Sequence, residues 1–419
     1  MRIMVIPHTL ELGGSQLNAV ELAAAVRDLG HDVLVFGRRG HLLKRIEELG
    51  LEFVESPRPG RRPTLSIVSA IARIVQQRNI DIIHAYEWPP AIEAELAILL
   101  DQTTRVMTTV MSMAVAPFIP RHRELVVGTE EIAEAVRLAG RHLVSVIEPP
   151  VDTNYNAPGV ADGVAFRREW GVPKDVIAVV AVARMSRELK LEGTLSAIRA
   201  IGTASTEHAV RLILVGDGPA RPDVETLAKQ VNSRYGPGTV TLTGALSDPR
   251  PAYEAADIAL GMGGSALRAM AFRKPLIVQG ERGYWRTLSP DTLHGFLWTG
   301  WYGIGDTATD GADALLGQLR PLLADAELRE SLGKFGRHTA VERFSLARAA
   351  LIQSELYLKV LAKSSRRARL AGNAYSALLF ASYVIGSKIR MLVKNQRADD
   401  FNAMPVTRLN ADSTKVRAS

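Results

Sequence analysis

The strongest constraint on this chain is an alternation that runs through most of its length. Short apolar runs of strand type are each followed by a stretch with helical spacing. Arg2–Pro7, Asp32–Phe36, Ile80–His84 and Arg105–Val110 read as strands, with helices over Gln16–Leu29, Leu65–Gln77 and Ala91–Leu100 between them. The pattern stops at residues 148–163, a stretch rich in Pro, Asn, Asp and Gly that reads as a linker. It then restarts with strands at Val176–Ala183, Val210–Val215, Val240–Thr243 and Ile258–Leu260. Strands that are apolar on both faces belong to a parallel sheet covered on both sides by helices. The expected fold class is therefore α/β, with two successive doubly wound domains at 1–150 and 164–341. A helix over 342–363 follows, and then a tail at 364–419.

The second series centres on Ile258–Trp285, which reads as strand, glycine turn, short helix, Pro275 and second strand. Gly261, Gly263 and Gly264 follow the first strand, and Ser265 is placed to cap the helix. Glycines let backbone approach a bound group closely, and a helix N-terminus presents free N–H groups and the positive end of its dipole. A phosphate or diphosphate suits that environment. A plain strand-to-helix turn of a doubly wound fold is the competing reading.

Composition removes several classes of function. The 419 residues contain no cysteine, so disulfides and thiolate metal sites are excluded. No D-x-D occurs and the nine histidines show no ligand spacing, so no metal and no cofactor is expected. No G-x-S-x-G is present either. The opening MRIMVIPH reads as a first strand rather than a signal peptide, and no run reaches the roughly 18–20 apolar residues of a membrane span. A cytoplasmic location is expected. The net charge of +7 is concentrated near the C-terminus: nine Lys and Arg lie between Lys359 and Arg397 with no acid among them. The body is near neutral, which argues against a nucleic-acid partner.

In chain order the motifs are Gly13-Gly14 after the first strand, Arg184 and Lys190 in RMSRELK, Val215-Gly216-Asp217-Gly218-Pro219, Thr243-Gly244 and Ala266–Pro275. Over about residues 1–358 this order resembles the GT-B glycosyltransferases, specifically glycosyltransferase family 4. The resemblance implies two Rossmann-like domains facing across a cleft. It also implies a retaining, metal-independent transfer from a nucleotide sugar to a glycan or lipid-linked acceptor. Arg184 and Lys190 would hold the diphosphate, with Arg187 a rival for the second cation because RMSRELK is one residue longer than the family pattern. Gly13 and Gly14 would approach the donor phosphates, Gly216 and Gly218 would shape the turn beside the nucleotide, and the backbone at Gly244–Leu246 would hold the base. Gly263, Gly264, Ser265 and Arg268 complete the donor side.

The sequence departs from the family at three points. The two family glutamates, eight positions apart, fall on Leu260 and Arg268; the glutamate after the glycine pair is Gln16; and the histidine after the first domain's TTV strand is Met111. Two readings follow. In a divergent enzyme Glu281, just beyond the next strand, supplies the acidic function. In a catalytically silent scaffold the fold binds a ligand or partner without transfer.

On the acceptor side the candidates are His84, Tyr86 and Trp88, with Glu87 between the aromatics. Trp285, Trp298, Trp301 and Tyr302 read as core packing or a domain contact. In the tail, residues 374–385 are mostly apolar and flanked by the cations, so 364–397 suits a helix lying on an anionic membrane surface, separate from the body; a helix docked on the body or an oligomer interface is the competing reading. Residues from Gln396 on read as disordered.

Overall fold

The computed structural model describes residues 1–394 apart from 12, 61, 102, 307, 308 and 363–365; for 366–371 and 387–394 only the backbone is described. The region read as disordered from Gln396 on lies outside the described residues. The chain divides into two units, Met1–Pro149 with Leu346–Ser419, and Pro150–Ser345.

The first unit alternates as β1 (Arg2–Ile6), α1 (Gly14–Asp28), β2 (Asp32–Gly37), α2 (Leu43–Glu48), β3 (Glu52–Glu55), α3 (Leu65–Arg78), β4 (Ile82–Tyr86), α4 (Trp88–Ala97), β5 (Arg105–Val110), β6 (Leu125–Val127), α5 (Glu130–Leu138) and β7 (Val144–Val146). These strands form one parallel sheet in the order β3-β2-β1-β4-β5-β6-β7. Ile3 is paired with both Val33 and Ile82, which puts β1 at the point where the winding reverses. One face of the sheet is buried under α1, where Val20, Leu22 and Val26 meet Ile3 and Val35. The other is covered by α3 and α4 through Ile67, Ile71 and Ala94. Strands covered on both faces must be apolar on both faces, which is why β1 and β4 are nearly all buried.

The second unit runs α6 (Gly163–Glu169), β8 (Ile177–Val182), α7 (Leu191–Ala204), β9 (Val210–Val215), α8 (Arg221–Tyr235), β10 (Val240–Gly244), α9 (Arg250–Ala255), β11 (Ile258–Gly261), α10 (Gly264–Ala271), β12 (Leu276–Gln279), β13 (Trp285–Thr287), α11 (Pro290–Thr299), α12 (Gly311–Ala324) and α13 (Ala326–Phe344). Its sheet order is β10-β9-β8-β11-β12-β13. Five strands are parallel; β13 closes the edge antiparallel to β12, with Ile277 opposite Thr287. Here the winding reverses between β8 and β11. Trp285, Trp301 and Tyr302 are buried, in agreement with the core reading, whereas Trp298 is exposed. The linker stretch folds with this unit: Val151 bridges to Ser345 and donates to the Phe344 carbonyl.

At Ser345 the helix breaks, and α14 (Leu346–Ala362) belongs to the first unit, where Ala350, Leu356, Tyr357 and Val360 enter the core beneath α1. The expected separate tail is instead α15 (Arg366–Lys394), a helix of 29 residues. Leu379, Phe380 and Tyr383 pack on the Phe118 and Ile119 cluster of the first unit, so the segment is docked on the body. The helix is longer than the apolar run 374–385 because Arg, Lys, Leu and Ala in the flanks are all good helix formers. No helix among the described residues is long and apolar enough to cross a membrane.

Candidate functional site

In a doubly wound sheet ligands bind beyond the C-terminal ends of the strands, where the strand order reverses. In the second unit that point lies between β8 and β11, and the loops beyond these two strands carry Arg184–Lys190 and Gly263–Arg268. A small cavity of about 20 Å³, lined by Ala183, Arg184, Gly261, Met262, Ser265 and Gln279 among others, marks the place.

The loop after β8 is held by the loop after β9. Met185 N donates to the Asp217 carbonyl, and Ala220 N donates to the Met185 carbonyl. This close approach demands glycine. A Cβ on Gly216 (φ +137°) would lie 2.0 Å from the Ala183 carbonyl oxygen, and one on Gly218 (φ +153°) 2.5 Å from that of Met185. Asp217 is a turn former: its carboxylate accepts from Gly218 N at 2.7 Å and from Arg221 at 3.1 Å.

Arg184 is exposed at the start of the loop, and Lys190 is partly buried at the N-cap of α7. Among the described residues neither side chain has an ion-pair or hydrogen-bond partner. Burial first, and then the neighbouring Arg184 charge, hold the Lys190 pKa below its ordinary value. Two like charges kept together without a counter-ion form a site for an anion. Arg187 differs: it pairs with Asp223 at 2.9 Å on the surface, which leaves Arg184 and Lys190 as the loop's unpartnered cations among the described residues.

The turn beyond β11 places Gly263 (φ +52°) at the N-cap of α10 and opens the helix at Gly264. Ser265 lies inside the first turn rather than at the cap. Its hydroxyl donates to the Met262 carbonyl and accepts from Met262 N, so it folds the turn back on itself. Arg268 donates to the Gly264 carbonyl at 3.2 Å, which lays its guanidinium along the same turn. Leu260, where the family has its first glutamate, is a core residue of β11, 3% exposed.

Beyond β12, Gln279 supports Lys190 by donating from Nε2 to its carbonyl at 3.2 Å. Glu281 accepts a hydrogen bond from the Tyr302 hydroxyl, and its backbone bridges to Ile304. Glu192, on the first turn of α7, accepts from the backbone N–H groups of Arg282 and Gly283 at 2.9 and 2.6 Å, fixing the turn after Glu281. Gly244 ends β10, with its carbonyl taken by Gly216 N, and Leu246 packs against the cluster of Phe166 and Ala252.

In the first unit the winding reverses at β1 and β4. The loop after β1 brings Gly13 to the N-cap of α1 and leaves Gly13 and Gly14 exposed. Glu87, directly after β4, is buried with φ +68°, a conformation uncommon for a residue bearing a side chain. Its carboxylate accepts from Ser15 Oγ (3.2 Å), Met111 N (2.9 Å), Ser112 N (3.2 Å) and Ser112 Oγ (2.8 Å), tying the first turn of α1 to the loops after β4 and β5. Burial raises its pKa, and these four hydrogen bonds oppose that rise.

The acceptor candidates in this unit are corrected. His84 and Tyr86 are each 1% exposed. Both ring nitrogens of His84 are engaged at 2.6 Å, by Tyr357 and Thr109, and burial lowers its pKa to about 3. His84 is a core polar group and cannot meet an acceptor. Trp88 is no open shelf for a sugar, because Phe118 and Phe380 pack on its ring at 5.4 and 5.9 Å. Among the described residues no cluster of His, Asp and Glu is arranged to hold a metal ion.

Residues 12–155 match the model described as Glycosyltransferase Family 4, and residues 177–301 match the one described as Glycosyl transferases group 1. The chain carries a glycosyltransferase family 4 domain followed by a glycosyl transferases group 1 domain. It is similar to N-acetyl-alpha-D-glucosaminyl L-malate synthase of Bacillus anthracis, at 25% identity over 322 residues, 71% of this chain and 79% of the relative. Among solved structures it is similar to a glycosyltransferase of Rickettsia africae, with TM-score 0.70 and 19% identity over 87% of this chain and 99% of the other. It is also similar to HepE of Anabaena in complex with UDP and glucose, with TM-score 0.65 and 18% identity over 85% and 99%. Two parallel α/β units of this kind are the GT-B architecture, and the chain is a glycosyltransferase by its domains.

Proposed function

We propose that this glycosyltransferase is a retaining, metal-independent enzyme that moves a sugar from a nucleoside-diphosphate donor to a hydroxyl of a glycan or lipid-linked acceptor. The observation that carries the reading is the pair Arg184 and Lys190, two cations with no counter-ion among the described residues, beside the strand-order reversal of the second unit. The bond from the anomeric carbon to the β-phosphate oxygen breaks, and its electron pair stays on the diphosphate. The acceptor oxygen forms the new bond to that carbon, and its proton passes to the departing phosphate oxygen. Negative charge therefore grows on the leaving group, and fixed cations stabilise it without a metal. Gly263, Gly264 and Arg268 extend the same anion site, and Glu281 accepts hydrogen bonds from sugar hydroxyls. Gly13 and Gly14 belong to the donor phosphates, and the backbone at Gly244–Leu246 to the base.

Calorimetry with UDP, GDP and ADP tests this directly. Binding of one of them in the micromolar range, weakened in Arg184→Ala, is expected; no binding at millimolar concentration defeats the reading. HepE, a relative in fold, binds UDP, which makes UDP the first nucleotide to try. A second reading, a silent scaffold, draws on Arg268 and Leu260 standing where the family has acids. Donor-dependent product that disappears in Arg184→Ala excludes it.

The second part of the proposal is location. Residues 364–397, carrying nearly all of the unbalanced positive charge, hold the protein at the inner face of a membrane, where a lipid-linked acceptor is presented.

A further inference from the structure

Two faces of α15 are apolar, and they do different things. The inner face seats the helix. Phe380 packs edge-on and Tyr383 tilted against Phe118, with ring centroids 5.2 and 5.0 Å away, and Ser376 on the same helix is buried. One turn earlier the helix comes so close to the loop before β6 that a Cβ on Gly372 would lie 2.2 Å from His122 Nδ1. Arg121, from the same loop, lies 5.1 Å from the Tyr375 ring centroid.

The outer face is left open. Tyr375, Leu378 and Ile385 are 43%, 69% and 60% exposed. Leu378 and Ile385 are seven residues apart and so lie on one side of the helix, and Ala374, Ala377 and Ala381 fill the surface between. This stripe contains no charge. The cations stand at the helix ends, Arg366, Arg367 and Arg369 in the first turn and Lys388, Arg390 and Lys394 in the last two, and no acid occurs from 359 to 397. An apolar centre between basic ends, on a helix too polar to span a bilayer, complements an anionic lipid surface and matches no acidic or mixed-charge protein face.

We infer that the outer stripe of α15, Tyr375–Leu378–Ile385, is the lipid-binding surface, and that it binds anionic lipid while the helix stays docked on the first unit. This rests on the membrane reading above and specifies it. The helix is not an arm that lets go of the body to reach lipid; it is a fixed ledge. The membrane then lies against the side of the first unit that carries the loops 114–123.

The absence of cysteine makes the docked state testable. In a His122→Cys/Gly372→Cys chain no other thiol competes, and the two β-carbons, 3.0 Å apart by construction, need a shift of under about 1 Å to reach disulfide geometry. The probe is co-flotation of the full chain with phosphatidylglycerol/phosphatidylcholine vesicles, against phosphatidylcholine alone. Wild type is expected to float with the anionic vesicles only, and partly less in high salt. The oxidised double-cysteine chain is expected to float like its reduced form. Leu378→Asp/Ile385→Asp is expected to reduce partition at least tenfold with an unchanged melting temperature. Failure of wild type to float removes the membrane reading itself. If wild type floats but the aspartate variant floats equally, the outer stripe is not the surface. If oxidation releases the protein from vesicles, or the disulfide does not form, the docked state is wrong. A dimer in sedimentation that the aspartates dissolve, without flotation, assigns the stripe to a second copy and overturns the inference.

Discussion

Lys190 and Arg184 act on each other as like charges. After burial itself, the Arg184 guanidinium is what holds the Lys190 pKa below its ordinary value. A cation in that state is cheaply discharged and strongly recharged by an arriving anion, so phosphate binding and proton uptake are linked.

Nucleotide affinity should therefore depend on pH in one direction. Diphosphate binds the charged form of Lys190, so UDP affinity falls as pH rises through the lowered pKa of the free protein. Calorimetry from about pH 7 to 10 reads this slope. Lys190→Arg, whose charge does not titrate in that range, should flatten it. Lys190→Met and Arg184→Ala should each weaken UDP about 10- to 100-fold, as expected for losing a charge-assisted contact. Arg187→Ala should change affinity little, because Arg187 is committed to Asp223.

His84 should make the protein acid-sensitive. Its pKa falls from 6.5 to about 3 on folding, so between those values the unfolded chain binds a proton that the folded chain refuses. Stability from this group is complete above about pH 6.5 and is lost as pH falls toward 3, at up to about 1.4 kcal/mol per pH unit. His84→Gln should lower stability at pH 7 yet remove one proton from the pH dependence of denaturant unfolding between pH 6 and 4. An unchanged slope would contradict the buried neutral imidazole.

Gly216→Ala should destabilise the second unit. The new methyl must avoid the Ala183 carbonyl oxygen while its backbone holds φ +137°. Strain of this sort costs about 1–3 kcal/mol before the clash is relieved. For a unit of this size that is a fall of several degrees in melting temperature, about 2–4 °C per kcal/mol. The loop carrying Arg184 shifts with it, so UDP affinity should drop in the same variant.

Glu87→Ala leaves the N–H groups of Met111 and Ser112 without their acceptor. Each buried donor left unmade costs about 1–3 kcal/mol. Faster amide exchange at Met111 and Ser112 is the expected readout. Glu87→Gln keeps one carbonyl acceptor and should exchange at an intermediate rate. Protection unchanged in the alanine variant would show that other contacts hold the three segments.

Strands such as Arg105–Val110 and Val210–Val215 were legible to the residue, because burial on both faces favours short runs of β-branched and apolar residues with no helical spacing. The antiparallel β13 was not, since three residues carry no period to read. The cations of the site were legible as charge directly after an apolar strand. The Glu87 network was hidden for the opposite reason: a carboxylate in a loop looks solvated, and nothing in the sequence announces a positive φ. Likewise, the burial of His84 depends on Tyr357, 273 positions away. Arg187 and Lys190 differ little in sequence, and only the position of Asp223 separates them.

The first unit is sewn shut by the chain's own far end, and this sets an order of events on the ribosome. When residue 149 has emerged, the sheet has all its strands but lacks Tyr357, Leu356 and Val360, which complete the core beneath α1. About two hundred residues of the second unit must be translated before that seam can close, at roughly 5–20 residues per second. For some ten to forty seconds the nascent first unit therefore waits with an open apolar side and an unmet His84 nitrogen. Its most dangerous interval is during synthesis, and the second unit is free to finish folding first.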